Sequence, residues 1–262
     1  MKVFQKSRWL FLTAITLLLV GVLSGCGGAS ERDSESQTET EETETVEIVK
    51  PTFQADLSVY ESYIDVPSGS YLTLVNKQNT VDGSYDPGEM MAVKDTWKDI
   101  SLQKNAAMAM EAMFTEMREA GIGGVFVTSA YRSYAYQNGL FNTYIQNEMA
   151  ANPSLTEAEA RALVLRYSAF PGTSEHHTGL AADLMVEGMT DLDESFAQYP
   201  VFDWLQENAW KFGFILRFPK DKVDITGYDY EPWHYRFVGR YDAYMIWSQG
   251  ICLEEYVENY GG

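Results

Sequence analysis

The sequence predicts an α+β fold, in which a small antiparallel sheet is flanked by helices, for residues 53–262. Short apolar runs with strand-like alternation are separated by longer segments with helical spacing. These segments follow one another in mixed order, and this order favours an α+β domain. Roughly 210 residues are enough to bury one core, so a single globular domain is expected.

Five apolar runs are expected to form strands. They cover residues 71–75, 125–128, 180–186, 214–218 and 233–238. Turn signals follow the first run, at Asp82-Gly83 and at Asp86-Pro87-Gly88. In the third run, period-2 alternation places Ala181 and Asp183 on the same face of the sheet.

Five segments with helical spacing complete the prediction. They cover residues 96–120, 134–150, 156–167, 201–212 and 241–249. In the first segment Met110, Met113 and Met117 recur at helical intervals, and we interpret them as core packing rather than as soft metal ligands. Thr156 and Glu159 have the spacing of a capping box, which indicates the start of the third helix.

The N-terminus predicts export and lipid anchoring. Lys2, Lys6 and Arg8 precede an apolar run over residues 9–23, which is short for a transmembrane helix and typical of a signal peptide. The run ends in Leu23-Ser24-Gly25-Cys26, which resembles a bacterial lipobox with Cys26 as the lipidated residue. We therefore expect residues 1–26 to target the chain outside the cytoplasm, lipid-anchored to the bacterial membrane. An uncleaved N-terminal anchor is the alternative.

Residues 27–52 are expected to form an acidic, disordered tether. Ser, Thr and Glu dominate this segment, and it has too little apolar surface to offset the entropy of ordering. The tether carries much of the net charge of −19. Such a charge argues against binding to nucleic acid or to anionic lipid. Separately, we expect the protein to be a monomer.

Cysteine usage excludes a disulfide framework. The chain contains two cysteines, and lipidation of Cys26 would leave Cys252 without an intramolecular partner. Stability must therefore come from an ordinary hydrophobic core.

The three histidines of the chain all lie beside carboxylates, in two short segments. His176 precedes Asp183 by seven residues, and His234 follows Glu231 by three. Two imidazoles and one carboxylate leave one position open on a tetrahedral zinc, which is the arrangement of a hydrolytic site. Glu231 is then a candidate general base.

The spacing of His176 and Asp183 argues against a continuous helix, on which they would lie about 10 Å apart along the axis. Gly179 permits a sharp turn, so that His176 can fold back against the strand of Asp183. Neighbouring residues point apart on an extended loop, and we therefore favour His176 over His177 as the ligand. His177 is left with a supporting role, a role on the substrate side, or none.

These motifs resemble those of a known family. The motif Ser174-x-His176-x-x-Gly179-x-Ala181-x-Asp183, together with Glu231-x-Trp233-His234, is similar to the zinc D,D-carboxypeptidases of the VanY type, peptidase family M15B. The segment from Ser129 to Ser133, followed by Gln137, resembles the substrate-binding segment of that family. The resemblance extends from about residue 70 to residue 240 and implies the fold shared with hedgehog-like peptidases.

The resemblance implies a role for each matching residue. His176, Asp183 and His234 would bind Zn²⁺, and Glu231 would be the catalytic base. Arg132 would stabilise the oxyanion or hold the substrate, because its planar fork suits a carboxylate. Residues expected to contact the terminal D-alanine are Gln137, Ser174 and, as a wall, Trp233.

The resemblance also implies the substrate, a peptidoglycan stem peptide that ends in D-alanine. Three alternatives stay open from the sequence. The enzyme could be an L,D-carboxypeptidase acting on tetrapeptide stems, or an endopeptidase that cleaves within the stem. The chain could also be a non-catalytic peptidoglycan-binding lipoprotein, although such a protein would not need Glu231.

Overall fold

The computed structural model describes residues 50–96 and 98–261. Cys26 and the predicted signal segment lie outside these residues, as does the tether up to residue 49. The main helices are α1 (Glu61–Ile64), α2 (Lys104–Glu119), α3 (Tyr134–Ala151), α4 (Glu157–Val164), α5 (Pro200–Asn208), α6 (Val223–Thr226), α7 (Arg240–Gln249) and α8 (Leu253–Tyr260). Within the described part of the chain, none of the helices has the length and apolarity needed to cross a bilayer.

The strands form a two-stranded and a four-stranded sheet. Their bounds are β1 (Met90–Ala92), β2 (Ser101–Gln103), β3 (Val125–Ser129), β4 (Ala181–Val186), β5 (Phe214–Leu216) and β6 (His234–Phe237). β1 pairs with β2, and the larger sheet has the order β3-β4-β6-β5 with antiparallel neighbours throughout. The predicted α+β class, with a small antiparallel sheet flanked by helices, is confirmed.

The four-stranded sheet has one face in the core and one face that carries polar groups. Ala182 and Leu184 of β4 belong to the main core cluster, as do Tyr235 and Phe237 of β6. Helix α2 adds small and flexible apolar side chains to the same cluster, including Met110, Met113 and Met117, so their predicted packing role is confirmed. Because side chains alternate along a strand, the intervening residues of β4 and β6 lie on the opposite face.

Several predicted elements agree with the structure. The strands at β3, β4 and β6 lie within one or two residues of their expected bounds, and so does helix α3. Thr156 caps α4 with the expected box, since its hydroxyl accepts from the Glu159 amide and the Glu159 carboxylate accepts from the Thr156 amide. The predicted helix over residues 201–212 is α5 followed by a 3₁₀ turn, Ala209–Phe212, that ends at Gly213.

The predicted strand at residues 71–75 is wrong. Residues 71–75 do not pair with any strand of the described chain, and two of their carbonyl groups accept hydrogen bonds from a side chain instead. The buried Arg236 guanidinium donates to the carbonyl oxygens of Tyr71 at 2.9 Å and of Thr73 at 2.8 Å. A side chain distant in sequence thus takes acceptors that a neighbouring strand would have used.

Three helix predictions need correction. Helix α2 begins at Lys104 rather than near residue 96, because the preceding residues pair as β2 with β1 and Gln103 caps the helix with its side chain. Helix α4 ends at Val164, three residues early, where the chain tightens into turns. Helix α7 was also expected to be the last element, but α8 follows it and buries Leu253 and Tyr256.

Candidate metal centre and active site

Two neighbouring strands and one short turn bring His176, Asp183 and His234 together. Asp183 of β4 lies directly opposite His234 of β6 in the strand register, so both side chains leave the sheet on its polar face. His176 belongs to a 3₁₀ turn, Glu175–Thr178, which ends two residues before β4. All three residues are buried, and one potential ligand atom from each lies within 4.8 Å of the others.

Gly179 allows the turn to place His176 against the strand. Its φ of 68° is in the left-handed region, which favours glycine. A Cβ at this position would come within 3.1 Å of the Met90 Sδ and 3.2 Å of the Gln103 amide nitrogen. The position therefore favours glycine for its backbone conformation and for the close approach of β1 and β2.

The hydrogen bonds of the two imidazoles indicate which nitrogen faces the centre. His176 Nδ1 lies 2.6 Å from the Ala130 carbonyl oxygen, which can only accept, so Nδ1 carries the proton and Nε2 is free. That Nε2 is 3.2 Å from Asp183 Oδ2, and His234 Nδ1 is 3.0 Å from Asp183 Oδ1. Ligands of a tetrahedral zinc at its usual bond lengths are about 3.3 Å apart, so the donor set fits this ion.

The electrostatics of the cluster suit a cation. Burial, assisted by the nearby Arg132, lowers the pKa of His176 to about 4 and keeps this imidazole neutral, as a ligand must be. Burial opposes the charge of Asp183, but the two imidazoles hold the pKa of its carboxyl well below the ordinary value. Burial also opposes the charge of His234, yet the carboxylates of Asp183 and Glu175 raise its pKa to about 9. Metal binding at His234 must therefore displace a proton.

Glu231 lies beside the cluster and lines the same cavity. Its Oε2 is 3.5 Å from His234 Nδ1, and its backbone amide donates to the Phe218 carbonyl oxygen. Burial raises the pKa of Glu231 to about 7, against the effect of His234. A carboxylate with this pKa can both accept and return a proton near neutral pH.

Arg132 approaches the centre from the end of β3. Its Nη2 is 3.6 Å from Asp183 Oδ2, and its Nη1 donates to Gln137 Oε1 at 3.0 Å. Its Nε is buried and has no hydrogen-bond partner among the described residues. Because the Arg132 side chain lines the cavity and stays partly exposed, its guanidinium can still reach a ligand there.

Gln137 is fully buried and does not line the cavity. Its amide nitrogen donates to the Ala169 carbonyl oxygen at 2.8 Å, while its oxygen accepts from Arg132. The structure thus places Gln137 as a support for Arg132. Direct contact between Gln137 and a substrate stays a prediction.

The cavity at the centre has a volume of about 1060 Å³. Ser174 and Trp233 contribute to its wall together with the metal cluster, Arg132 and Glu231. Trp233 also packs partly against the core, so it serves as wall and as packing residue. A cavity of this size accommodates several residues of an extended peptide.

His177 does not reach the metal cluster. Its Nδ1 lies 2.7 Å from the Arg132 carbonyl oxygen, and its Nε2 accepts from the Gly172 amide at 3.1 Å. The ring also stacks on Tyr134. His177 therefore ties the segment of Arg132 to the loop before the 3₁₀ turn, and these contacts favour the supporting role among the predicted alternatives.

The sequence prediction missed a buried ionic network behind His234. Glu175 accepts from Arg217 Nε at 2.7 Å and from Arg236 Nη1 at 2.8 Å. Although burial raises the pKa of Glu175, these guanidinium groups hold it well below the ordinary value. The available signal was an arginine interrupting each of two apolar runs, at Arg217 after β5 and at Arg236 within β6.

Two curated relatives resemble the chain over most of its length. The Bacillus subtilis protein YodJ is 33% identical over 97% of this chain and 97% of its own. A D-alanyl-D-alanine carboxypeptidase of Enterococcus faecalis is 37% identical over 71% of this chain and 65% of its own.

Three solved structures share the fold. VanYB in complex with D-alanine-D-alanine has a TM-score of 0.61 and 35% identity, and covers 72% of this chain and 98% of its own. A mutant of the VanY D,D-pentapeptidase in complex with Zn(II) has a TM-score of 0.60 and 36% identity over 71% and 98%. The LdcB LD-carboxypeptidase has a TM-score of 0.61 and 36% identity over 71% and 84%.

The family of the chain is shown by its match to a family sequence model, together with these similar proteins and structures. The sequence model of VanY, described as D-alanyl-D-alanine carboxypeptidase, matches residues 99–240, more than half of the chain. The matched region includes the three clustered residues, Glu231 and Arg132. The chain belongs to the VanY family of D-alanyl-D-alanine carboxypeptidases.

Proposed function

We propose that this protein is a zinc-dependent D,D-carboxypeptidase that removes the C-terminal D-alanine from peptidoglycan stem peptides. The observation that carries the proposal is the position of Glu231 and Arg132, both within 3.6 Å of the cluster formed by His176, Asp183 and His234. Metal-assisted hydrolysis of a peptide bond uses a general base and positive charge beside the reacting carbonyl, and Glu231 and Arg132 are placed for these roles.

The metal assignment is supported by the donor set and by a relative. Nε2 of His176, a carboxylate oxygen of Asp183 and Nδ1 of His234 would hold the ion. The VanY structure with Zn(II) supports zinc as that ion. Zinc would supply a Lewis acid that makes a water molecule more acidic and polarises the scissile carbonyl.

Glu231 is proposed as the general base. Its carboxylate accepts a proton from the attacking water and later returns a proton to the leaving amino group of D-alanine. The raised pKa supports both steps, because the carboxyl group can change its protonation state near neutral pH. Its Oε2 lies 3.5 Å from His234 Nδ1, the nitrogen that is proposed to bind the metal.

Arg132 is proposed to bind the substrate and to stabilise developing negative charge. Its side chain lines the cavity and stays partly exposed, so the guanidinium can donate to the terminal carboxylate or to the reacting carbonyl oxygen. Gln137 fixes the orientation of the guanidinium, and Ser174 and Trp233 would shape the pocket for the terminal D-alanine.

The first test separates catalysis from simple peptidoglycan binding. Glu231→Gln should keep one zinc per chain while the release of D-alanine from a pentapeptide stem falls about 10²- to 10⁴-fold, the usual contribution of a general base. Elemental analysis and an assay for free D-alanine, with and without chelator, measure both quantities. Near-wild-type turnover would refute the base assignment, and no turnover by the unmodified protein would favour a non-catalytic binder.

An L,D-carboxypeptidase is the second candidate, because the LdcB structure is as similar in fold as VanYB. Mass spectrometry of stem peptides after incubation distinguishes the activities. Loss of one D-alanine from pentapeptide supports the D,D assignment, and loss from tetrapeptide supports the L,D assignment. Cleavage within the stem would indicate an endopeptidase.

We also propose that the enzyme acts outside the cytoplasm, anchored to the membrane through lipidated Cys26. The basic residues, the short apolar run and the lipobox-like ending support this location. Replacement of Cys26 by Ala should move the protein from the membrane fraction to the soluble fraction. An unchanged membrane fraction would support an uncleaved anchor instead.

A further inference from the structure

A buried carboxylate, that of Glu175, lies beside the His234 ring at Nε2, the nitrogen opposite the one that contacts Asp183. Glu175 Oε2 and His234 Nε2 are 3.6 Å apart. Both atoms are buried, and neither has a hydrogen-bond partner among the residues that the structure describes. Because buried polar groups are normally paired, these two atoms are complementary, with Glu175 Oε2 as acceptor for a proton carried by His234 Nε2.

The other oxygen of Glu175 is firmly held. Oε1 accepts from Arg217 Nε and from Arg236 Nη1, and both guanidinium groups are fully buried. Arg217 in turn donates through both terminal nitrogens to Glu254 of α8. These contacts fix the plane of the Glu175 carboxylate and leave Oε2 directed at His234.

We propose that Glu175 is a positioning residue that keeps a proton on His234 Nε2, so that the lone pair of Nδ1 faces the metal. This inference rests on the proposed zinc centre. A neutral imidazole has one protonated nitrogen, and Nδ1 is the nitrogen on the side of Asp183 and Glu231. An acceptor behind Nε2 therefore selects the tautomer that can bind the ion.

The isosteric change Glu175→Gln should reverse this selection. The two arginines require an acceptor at the position of Oε1, so the amide oxygen of the glutamine should take that place. The amide NH₂ would then face His234 Nε2 as a donor. This arrangement favours the tautomer with the proton on Nδ1, which opposes metal binding.

Zinc affinity in competition with a chelator tests the proposal. Glu175→Gln should weaken zinc binding about 10- to 100-fold, the usual effect of losing the partner of a ligating histidine. Glu254→Gln is the matched control, because it removes a carboxylate from the same Arg217 without facing His234. Equal zinc affinities of the two folded variants would overturn the inference.

A measurement on the unaltered protein decides the matter if the Glu175 variant does not fold. The chain contains three histidines, so ¹⁵N-histidine spectra of the zinc-loaded protein can be assigned. The proposal requires a proton on His234 Nε2 that is protected from exchange, and a proton on Nδ1 would overturn it. Absence of zinc binding by the unaltered protein would instead refute the proposed function.

Discussion

At the scale of single residues, the composition of the chain made the metal cluster predictable. Three histidines in two short segments left few ways to build a site, and the geometry brings two of them to Asp183. Glu175 could not be predicted in the same way. Its partners lie 42 and 61 residues away, and only the folded register of β5 and β6 brings them to it.

The two adjacent histidines should respond to substitution in opposite ways. His177→Ala leaves the Gly172 amide and the Arg132 carbonyl without their partner, so stability should fall by about 1–3 kcal/mol while zinc is kept. His176→Ala removes a ligand and should abolish stoichiometric zinc binding. Urea unfolding and elemental analysis of both variants check this prediction. Loss of zinc from the His177 variant alone would reverse the assignment of the two residues.

At the scale of elements, alternation along β4 and β6 was readable from the sequence, but long-range partners were not. The segment 71–75 has the composition of a strand, yet Arg236 takes the carbonyl oxygens of Tyr71 and Thr73. Helix α8 has an unusual cap, in which Cys252 and Glu255 form the box, so the usual start signal of Ser, Thr, Asp or Asn was missing.

The 3₁₀ turn that carries His176 should depend on Gly179. An L-residue in the left-handed region costs about 1–2 kcal/mol, so Gly179→Ala should destabilise the fold by at least this amount. Gly250→Ala is the matched control, because Gly250 has a similar φ of 64° at the end of α7 and open space around it.

The difference between these two variants isolates the close approach of Met90 and Gln103 to Gly179. The free energy of unfolding in urea should fall further for Gly179→Ala than for Gly250→Ala, and zinc affinity should fall only for the former. Equal effects on stability would show that the contacts with β1 and β2 do not constrain the turn.

At the scale of the whole molecule, parts outside the family match support the centre within it. The match ends at residue 240, but Glu254 of α8 holds Arg217, and the carbonyls before residue 76 hold Arg236. Both arginines hold Glu175 behind the metal cluster. The centre is therefore connected to both ends of the described domain through one buried network.

The packing of α8 should consequently be essential for stability. Leu253 is fully buried in the cluster that α8 shares with α7 and β5, so Leu253→Ala should cost about 2–5 kcal/mol of unfolding free energy. Val257 is only partly buried on the same helix, and Val257→Ala should cost less. Urea unfolding of the zinc-free proteins measures both, since bound zinc would add its own stabilisation. A loss for Leu253→Ala no larger than that for Val257→Ala would show that α8 is not a necessary part of the fold.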